Sequence, residues 1–296
     1  MAGAYICSMT HSQAAGRLAV CPTPIGNVQD VTLRVLAMLT SADVVACEDT
    51  RRTGALLRRH GLAAPLVSLH EHNERARARE LVARIRAGAL VALVSDSGMP
   101  LVADPGFALL RECVQAGLDV EVLPGPSAVT TAVVASGLPA ERWCFAGFLP
   151  RKRAALQTML GAASQTLVAF ESPRRLPATL RVLAELDPQR PAVVCRELTK
   201  LHEEVRRGSA AELASHYGAH SARAPLRGEV VLVLGAATRQ PASNVEAVQA
   251  LAELIRAGAR PRPAAAAVAR LTGLAANELY RESARGTGQA VGRLRR

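Results

Sequence analysis

Aromatic residues and lysine are both scarce in this 296-residue chain: it holds one Trp, three Tyr and four Phe, and Lys152 and Lys200 are its only lysines. Because 49% of the residues are hydrophobic and only 3% aromatic, the interior must be built from Ala, Val and Leu. That excludes a disordered chain and suits a packed α/β core. The six cysteines, Cys7, Cys21, Cys47, Cys113, Cys144 and Cys195, show no C-x-x-C spacing, and most sit in apolar runs where a thiol behaves as a small hydrophobe. This argues against zinc, predicts no metal, and favours a reducing, cytoplasmic setting.

Targeting signals are missing too. The stretch MAGAYICSMTHSQAAGR has no basic segment followed by a sustained apolar core, so no signal peptide is expected. The uncharged run from Val122 to Ala140 contains three prolines and two glycines, which makes a spanning helix untenable and predicts no membrane partner. The first strand-to-helix turn has Gly26 alone where a dinucleotide-binding protein needs G-x-G-x-x-G, and no P-loop occurs.

What is present is a net charge of +11, from 36 basic against 25 acidic residues. The excess favours a polyanionic partner through phosphate neutralisation. It is unevenly spread: Arg256 to Arg296 holds nine arginines and two acids, Glu278 and Glu282, so this tail carries +7.

Short β-branched runs alternate with helical patterns over the first half: LAVCP, VVACE, PLVSLH, LVALVSD and VEVLPG. In ERARARELVARIRAG, Leu81, Val82 and Ile85 fall at helical spacing and Gly88 suits a C-terminal cap. Asp30 is read as the N-cap of the helix VTLRVL. This is the alternation of a mainly parallel sheet. After SGLPAERW the rhythm restarts with WCFAGFLP, TLVAFESP, PAVVCRELT and GEVVLVLG, strands with longer connections that suit a second, mixed sheet. The expected division is a tail over 1–17, a first α/β domain over 18–140, a second over 141–238, and a basic helical region over 245–296. In the last, AAAAVARLTGLAANELYRESAR has the pattern of two helices and a turn, readable as a helix-turn-helix or as a plain helical hairpin; the charge favours a nucleic-acid binder.

Two loops carry the signs of a ligand site. SDSGMPLVADPG follows the fully apolar LVALV, with Asp96 at the strand end and Asp104 placed to cap the next helix. LPGPSAVTTA ends the following strand with another Gly, Pro and Ser where a helix begins. Loops offering amides and a carboxylate, but no cation, suit a neutral or cationic ligand better than a phosphate. S-adenosylmethionine has those features: a ribose that wants an acceptor, and a sulfonium that tolerates no nearby Lys or Arg.

The motifs PTPIGNVQDVTLR, CEDTRRT, LHEHNE, SDSGMPLVADPG, PGPSAVTTAVVASGLP, FAGFLPRK, FESPRR, RELTKLHEE and RGEVVLVL occur in this order. Together they resemble the ribosomal RNA small subunit methyltransferases of the tetrapyrrole methylase superfamily, closely over Leu18 to Leu234 and more loosely in the tail. The resemblance implies a homodimer of a two-domain α/β fold with S-adenosylmethionine in the cleft between the domains. It implies 2′-O-ribose methylation of a cytidine in the decoding region of 16S rRNA, within the small ribosomal subunit. Carried over by motif, the cofactor contacts would be Pro24, Ile25, Asp96, Gly98, Met99, Ser127, Ala128, Phe170 and Gly228, with Asp96 on the ribose hydroxyls.

For that chemistry a base within reach of the 2′-hydroxyl would add about 10²–10⁴-fold. The chain offers Glu48 and Asp49, His70 and Glu71, and Lys200 with Glu203; Lys200 would serve if burial lowered its pKa, and Lys200 and Glu48 are the candidates taken forward. A carboxylate beside Arg51 and Arg52 would be acidified, which suits a salt-bridged loop better than a base. Arg51, Arg52, Arg174 and Arg175 read as phosphate contacts at the cleft mouth, joined by Arg262 and Arg270 of the tail. The rival readings are a small-molecule methylase of the tetrapyrrole type and a ligand-sensing DNA-binding regulator. His60, His202, His216 and His220 carry no assignment.

Overall fold

The computed structural model describes residues 16–237, 244–272 and 274–291. Residues 1–15, 238–243, 273 and 292–296, on which the expected tail, linker and turn glycine fall, lie outside the described residues. The chain divides into two compact units, Met1–Ala237 and Thr238–Arg296.

The first unit contains two five-stranded sheets. Strands β1 (Arg17–Cys21), β2 (Val44–Cys47), β3 (Leu66–Ser68), β4 (Leu90–Val94) and β5 (Asp119–Val122) form a wholly parallel sheet in the order β3-β2-β4-β1-β5. Its central strands are buried on both faces, which is why they read as unbroken apolar runs rather than alternating ones. Helices α1 (Leu33–Ser41) and α2 (Thr50–Arg59) cover one face through Val35, Leu39 and Leu57. Helices α3 (Glu74–Arg86) and α4 (Phe107–Gln115) cover the other through Leu81, Ile85, Leu109 and Cys113. Gly88, at φ 99°, follows the end of α3 as expected of a capping glycine.

Two caps differ from the sequence reading. Asn27 caps a 3-10 turn at Val28–Asp30, and the hydroxyl of Thr32 accepts from the Val35 amide to cap α1, so Asp30 ends the turn instead of opening the helix. Helix α4 starts at Gly106 with no side-chain cap of its own. The Glu74 carboxylate, from the start of α3, accepts from the Gly106 and Ala108 amides at 2.9 Å each, and this frees Asp104.

Helix α5 (Ala128–Ser136) leaves the first sheet and packs Val129, Ala132 and Val133 onto the second. That sheet comprises β6 (Trp143–Phe148), β7 (Thr166–Glu171), β8 (Pro191–Arg196), β9 (Glu204–Ser209) and β10 (Val230–Leu234), in the order β6-β7-β10-β8-β9. Only β6 and β7 run parallel; the other pairs are antiparallel. Helices α6 (Arg153–Ala162), α7 (Leu176–Leu186) and α8 (Ala210–Arg223) close its other face. Strand β9, EVRRGS, escapes the sequence reading because an edge strand with both faces partly wet needs no apolar alternation. Arg190, 1% exposed, staples this layer by donating to the carbonyls of Leu160 and Gly235.

The second unit holds helices α9 (Asn244–Arg256), α10 (Pro261–Thr272) and α11 (Ala276–Val291) around a small core of Ala247, Leu251, Ala265, Val268 and Leu279. The two helices read in AAAAVARLTGLAANELYRESAR are α10 and α11, and α9 precedes that stretch. No helix among the described residues is long and apolar enough to cross a membrane.

Candidate functional site

The site lies where the carboxyl ends of the parallel strands meet the second sheet. The loops after β1 and β4 are joined by paired bonds, Thr23 N–H to the Gly98 carbonyl at 2.9 Å and Gly98 N–H to the Thr23 carbonyl at 3.0 Å. Thr23 also donates its hydroxyl to the Ser95 carbonyl, and Ser95 donates to that of Gly98. From the second sheet, the loop after β8 docks onto this pair: Thr199 accepts from the Asn27 amide at 2.9 Å. Gly26 is pressed so close that a Cβ there would sit 2.5 Å from Cγ of Lys200.

Among the described residues, four non-glycine residues have left-handed backbones, and they fall in two loops: Leu101 and Ala103 after β4, Glu197 and Thr199 after β8. Each such residue costs on the order of 1–2 kcal/mol, so the two loops hold strain where the cleft is built.

Between the loops is a cavity of about 310 Å³ lined by Ile25, Ala128, Phe148, Phe170, Leu198 and Val231, with Gly228 at its edge. Three of the four phenylalanines gather here: the Phe170 ring lies 5.0 Å from Phe145 and 5.4 Å from Phe148, the latter being largely exposed. Among the described residues, no lysine or arginine lines this cavity; its ionisable groups are Asp104, Glu171 and Glu229. Such walls fit an aromatic, sulfonium-bearing nucleoside and would repel a phosphate tail.

A second, polar chamber of about 670 Å³ opens beside it, lined by Glu48, Arg51, Arg52, His70 and Asp96 among others. Asp96 accepts from the Asp49 amide at 3.0 Å and pairs with Arg52 at 3.3 Å, tying the ends of β2 and β4 together. Arg51, 89% exposed, grips Asp49 with two nitrogens and holds that carboxyl well below the usual carboxylate range. The two cavities have three lining residues in common: Ser97, Asp104 and Glu229.

The expected cofactor residues distribute unevenly around these spaces. Ile25, Ala128, Phe170 and Gly228 line the apolar cavity. Pro24 and Asp96 line a third pocket that opens off the same loops, beside Ile25 and Lys200. Gly98 is spent on the Thr23 pairing, Met99 is half-buried in the same loop, and Ser127 caps α5 without a side-chain bond. Asp96 faces the polar chamber, not the apolar one, because its carboxylate is held by the start of α2.

Lys200 differs from its expected state. Burial alone would lower its pKa, but Nζ donates to Glu197 and to Glu229 at 2.9 Å each, and these bonds hold it above the usual lysine value. A group kept cationic at neutral pH cannot accept a proton. Glu48 is exposed on the wall of the polar chamber. Arg174 is exposed, whereas Arg175 is clasped inside, donating to the carbonyls of Leu149 and Pro150 and pairing with buried Glu171, so it is no free phosphate contact. Arg262 and Arg270 are exposed on α10, in the other compact unit.

Residues the sequence reading missed are Phe148, Glu229 and Asp104 as wall residues, and Glu197 as the partner that holds Lys200. RELTK and RGE were visible as motifs, but nothing in their local pattern shows that Lys200 bridges them.

The model of the tetrapyrrole (corrin/porphyrin) methylases matches residues 17–214. The chain is 44% identical over 275 residues to the ribosomal RNA small subunit methyltransferase I of Mycobacterium tuberculosis, covering 90% of this chain and 94% of that protein. It is 43% identical over 221 residues to the Thermotoga maritima protein of the same name, 74% of this chain and 98% of that one. In fold it is similar to uroporphyrin-III C-methyltransferase from Thermus thermophilus, solved with S-adenosyl homocysteine, at a TM-score of 0.52 and 22% identity over 74% of this chain and 97% of that one. With the family's pattern matched over residues 17–214, and close relatives matched across nearly all of their length, this chain belongs to the tetrapyrrole methylase family, in its ribosomal RNA small subunit methyltransferase I group.

Proposed function

We propose that the protein transfers a methyl group from S-adenosylmethionine to the 2′-oxygen of a cytidine ribose in the decoding region of 16S rRNA, acting in the cytoplasm on the assembled small subunit, as a homodimer. One observation carries the reading: an apolar, cation-free cavity adjoins a polar, arginine-rimmed chamber. The first suits the methyl donor and the second a nucleotide. The names of the relatives support ribosomal RNA as the acceptor class, and the S-adenosyl homocysteine complex of a fold neighbour supports the donor. The same names favour RNA over a free tetrapyrrole or a DNA regulator.

The donor, once bound, supplies an activated methyl carbon on a sulfonium. The chain's own task is positional. Phe148 and Phe170 give an apolar wall, and hydrogen bonds interlock the loops around Thr23, Gly98 and Thr199. Holding the ribose oxygen in line within a dry site replaces a bimolecular encounter by an oriented one.

The test is transfer of labelled methyl to small subunits from cells lacking the enzyme, followed by nuclease digestion and nucleoside mass spectrometry. The expected product is 2′-O-methylcytidine; a base-methylated nucleoside, or no incorporation into subunits, would overturn the reading. The arginines give a sharper expectation. Arg174→Ala should lower the salt slope of rRNA binding by about one ion with thermal stability unchanged. Arg175→Ala should lower stability and leave that slope in place.

A further inference from the structure

The established motifs leave the proton unassigned: the ribose hydroxyl must lose one as its oxygen is methylated, and Lys200 is held cationic. Methyl transfer can occur only where the donor cavity and the nucleotide chamber meet, and the residues common to both are Ser97, Asp104 and Glu229. The Glu229 carboxylate is engaged by Lys200 at 2.9 Å. Ser97 carries no charge. Asp104 forms no ion pair among those of the described residues.

We propose that Asp104 is the proton acceptor of the reaction. This rests on the 2′-O-methylation reading above. The carbon–oxygen bond forms as the carbon–sulfur bond breaks, its electron pair leaves with sulfur as S-adenosylhomocysteine, and the hydroxyl proton passes to the Asp104 carboxylate.

The loop is built for this placement. Ala103, directly before Asp104, has a left-handed backbone at φ 70°, as does Leu101. Capping of α4 by Glu74 leaves Asp104 without the helix-start role that an aspartate at this position would ordinarily fill. Its surroundings also tune it. Burial first, then the nearby carboxylates of Glu48, Asp96 and Glu229, push it up to about 6, against a lowering bond from Ser95. Of the cations lining the same chamber, Arg51 is committed to Asp49 and Arg52 to Asp96; Lys200, in the neighbouring pocket, is committed to Glu197 and Glu229. His70 and Asp49 complete the titratable wall. A carboxylate that ionises just below neutral pH is the strongest base that is still free of its proton there.

The experiment compares wild type, Asp104→Asn and Asp104→Glu on small subunits at saturating S-adenosylmethionine, across pH 5 to 9. Wild-type kcat/KM should rise with pH through about 6 and then level off. Asp104→Asn should lose about 100-fold in kcat, with a smaller change in cofactor KM and no rise near pH 6, and Asp104→Glu should recover part of the rate and the pH dependence. A second readout needs no turnover. Because the folded pKa exceeds that of a free aspartate, the folded state binds the extra proton between the two values and wild type loses stability as pH rises through about 6. Asp104→Asn should therefore match wild type in thermal stability near pH 4 and exceed it at pH 7.5. An active wild type with an equally active Asp104→Asn, or a pH 6 limb that persists in the variant, overturns the proposal alone. A wild type that methylates no ribosomal RNA overturns the functional reading and this proposal with it.

Discussion

Gly228→Ala is expected to weaken S-adenosylmethionine binding about 100-fold while leaving the second sheet folded. Gly228 has φ 95°, a conformation that costs an alanine about 1–2 kcal/mol. The larger effect is steric: a Cβ would stand 2.6 Å from Cγ, Cδ and Oε1 of Glu197. A free glutamate end would swing aside. This one is fixed, because Oε1 accepts from Lys200 Nζ and from the Glu229 amide at 2.9 Å each. Moving it releases Lys200 and Glu229, the latter lining both cavities, and each charged bond lost is worth about 1.5–3 kcal/mol. The core of β10 from Val230 to Leu234 is buried and untouched, so circular dichroism should be unchanged. Calorimetric affinity within threefold of wild type would show that the Glu197–Lys200–Glu229 bridge does not shape the cofactor site.

Glu171→Ala is expected to be the most destabilising single change near the site, by about 3 kcal/mol, or a melting temperature lowered by ~10 °C. The Glu171 side chain is completely buried at the end of β7. It accepts from the Ser172 amide at 2.7 Å and from the Thr179 hydroxyl of α7 at 2.6 Å, and pairs with Arg175 at 3.3 Å. Removing it orphans a hydroxyl and takes the carboxylate partner from a half-buried guanidinium that also holds the Leu149 and Pro150 carbonyls. Glu171→Gln keeps an acceptor for Thr179 and should lose about a third as much. Calorimetric melting decides it: a fall below about 3 °C for Glu171→Ala would mean that water or Arg175 relaxation replaces the lost contacts.

Much of the frame was legible in the residues. LVALV and VVACE read as strands because a parallel sheet covered on both faces demands unbroken apolar runs, and Gly88 reads as a cap because α3 ends in a turn that favours glycine. Asp30 and Asp104 misled, since an aspartate before a helix is ordinarily its cap. Here Thr32 and Glu74 took those roles, the first two residues away and the second from another helix.

Local pattern by itself therefore determined the succession of strands and helices, the absence of phosphate-binding glycine loops, and two loops that line the apolar cavity. Period and turn chemistry act over a few residues, so one strand of sequence contains them. Only the tertiary structure decided which charges meet. Lys200 is 29 residues from Glu229, and the Asp49 amide is 47 from Asp96. Whether a lysine is a base or a fixed cation, and whether an aspartate caps a helix or faces a junction of two cavities, depends on burial and on partners that folding brings together across the sheets.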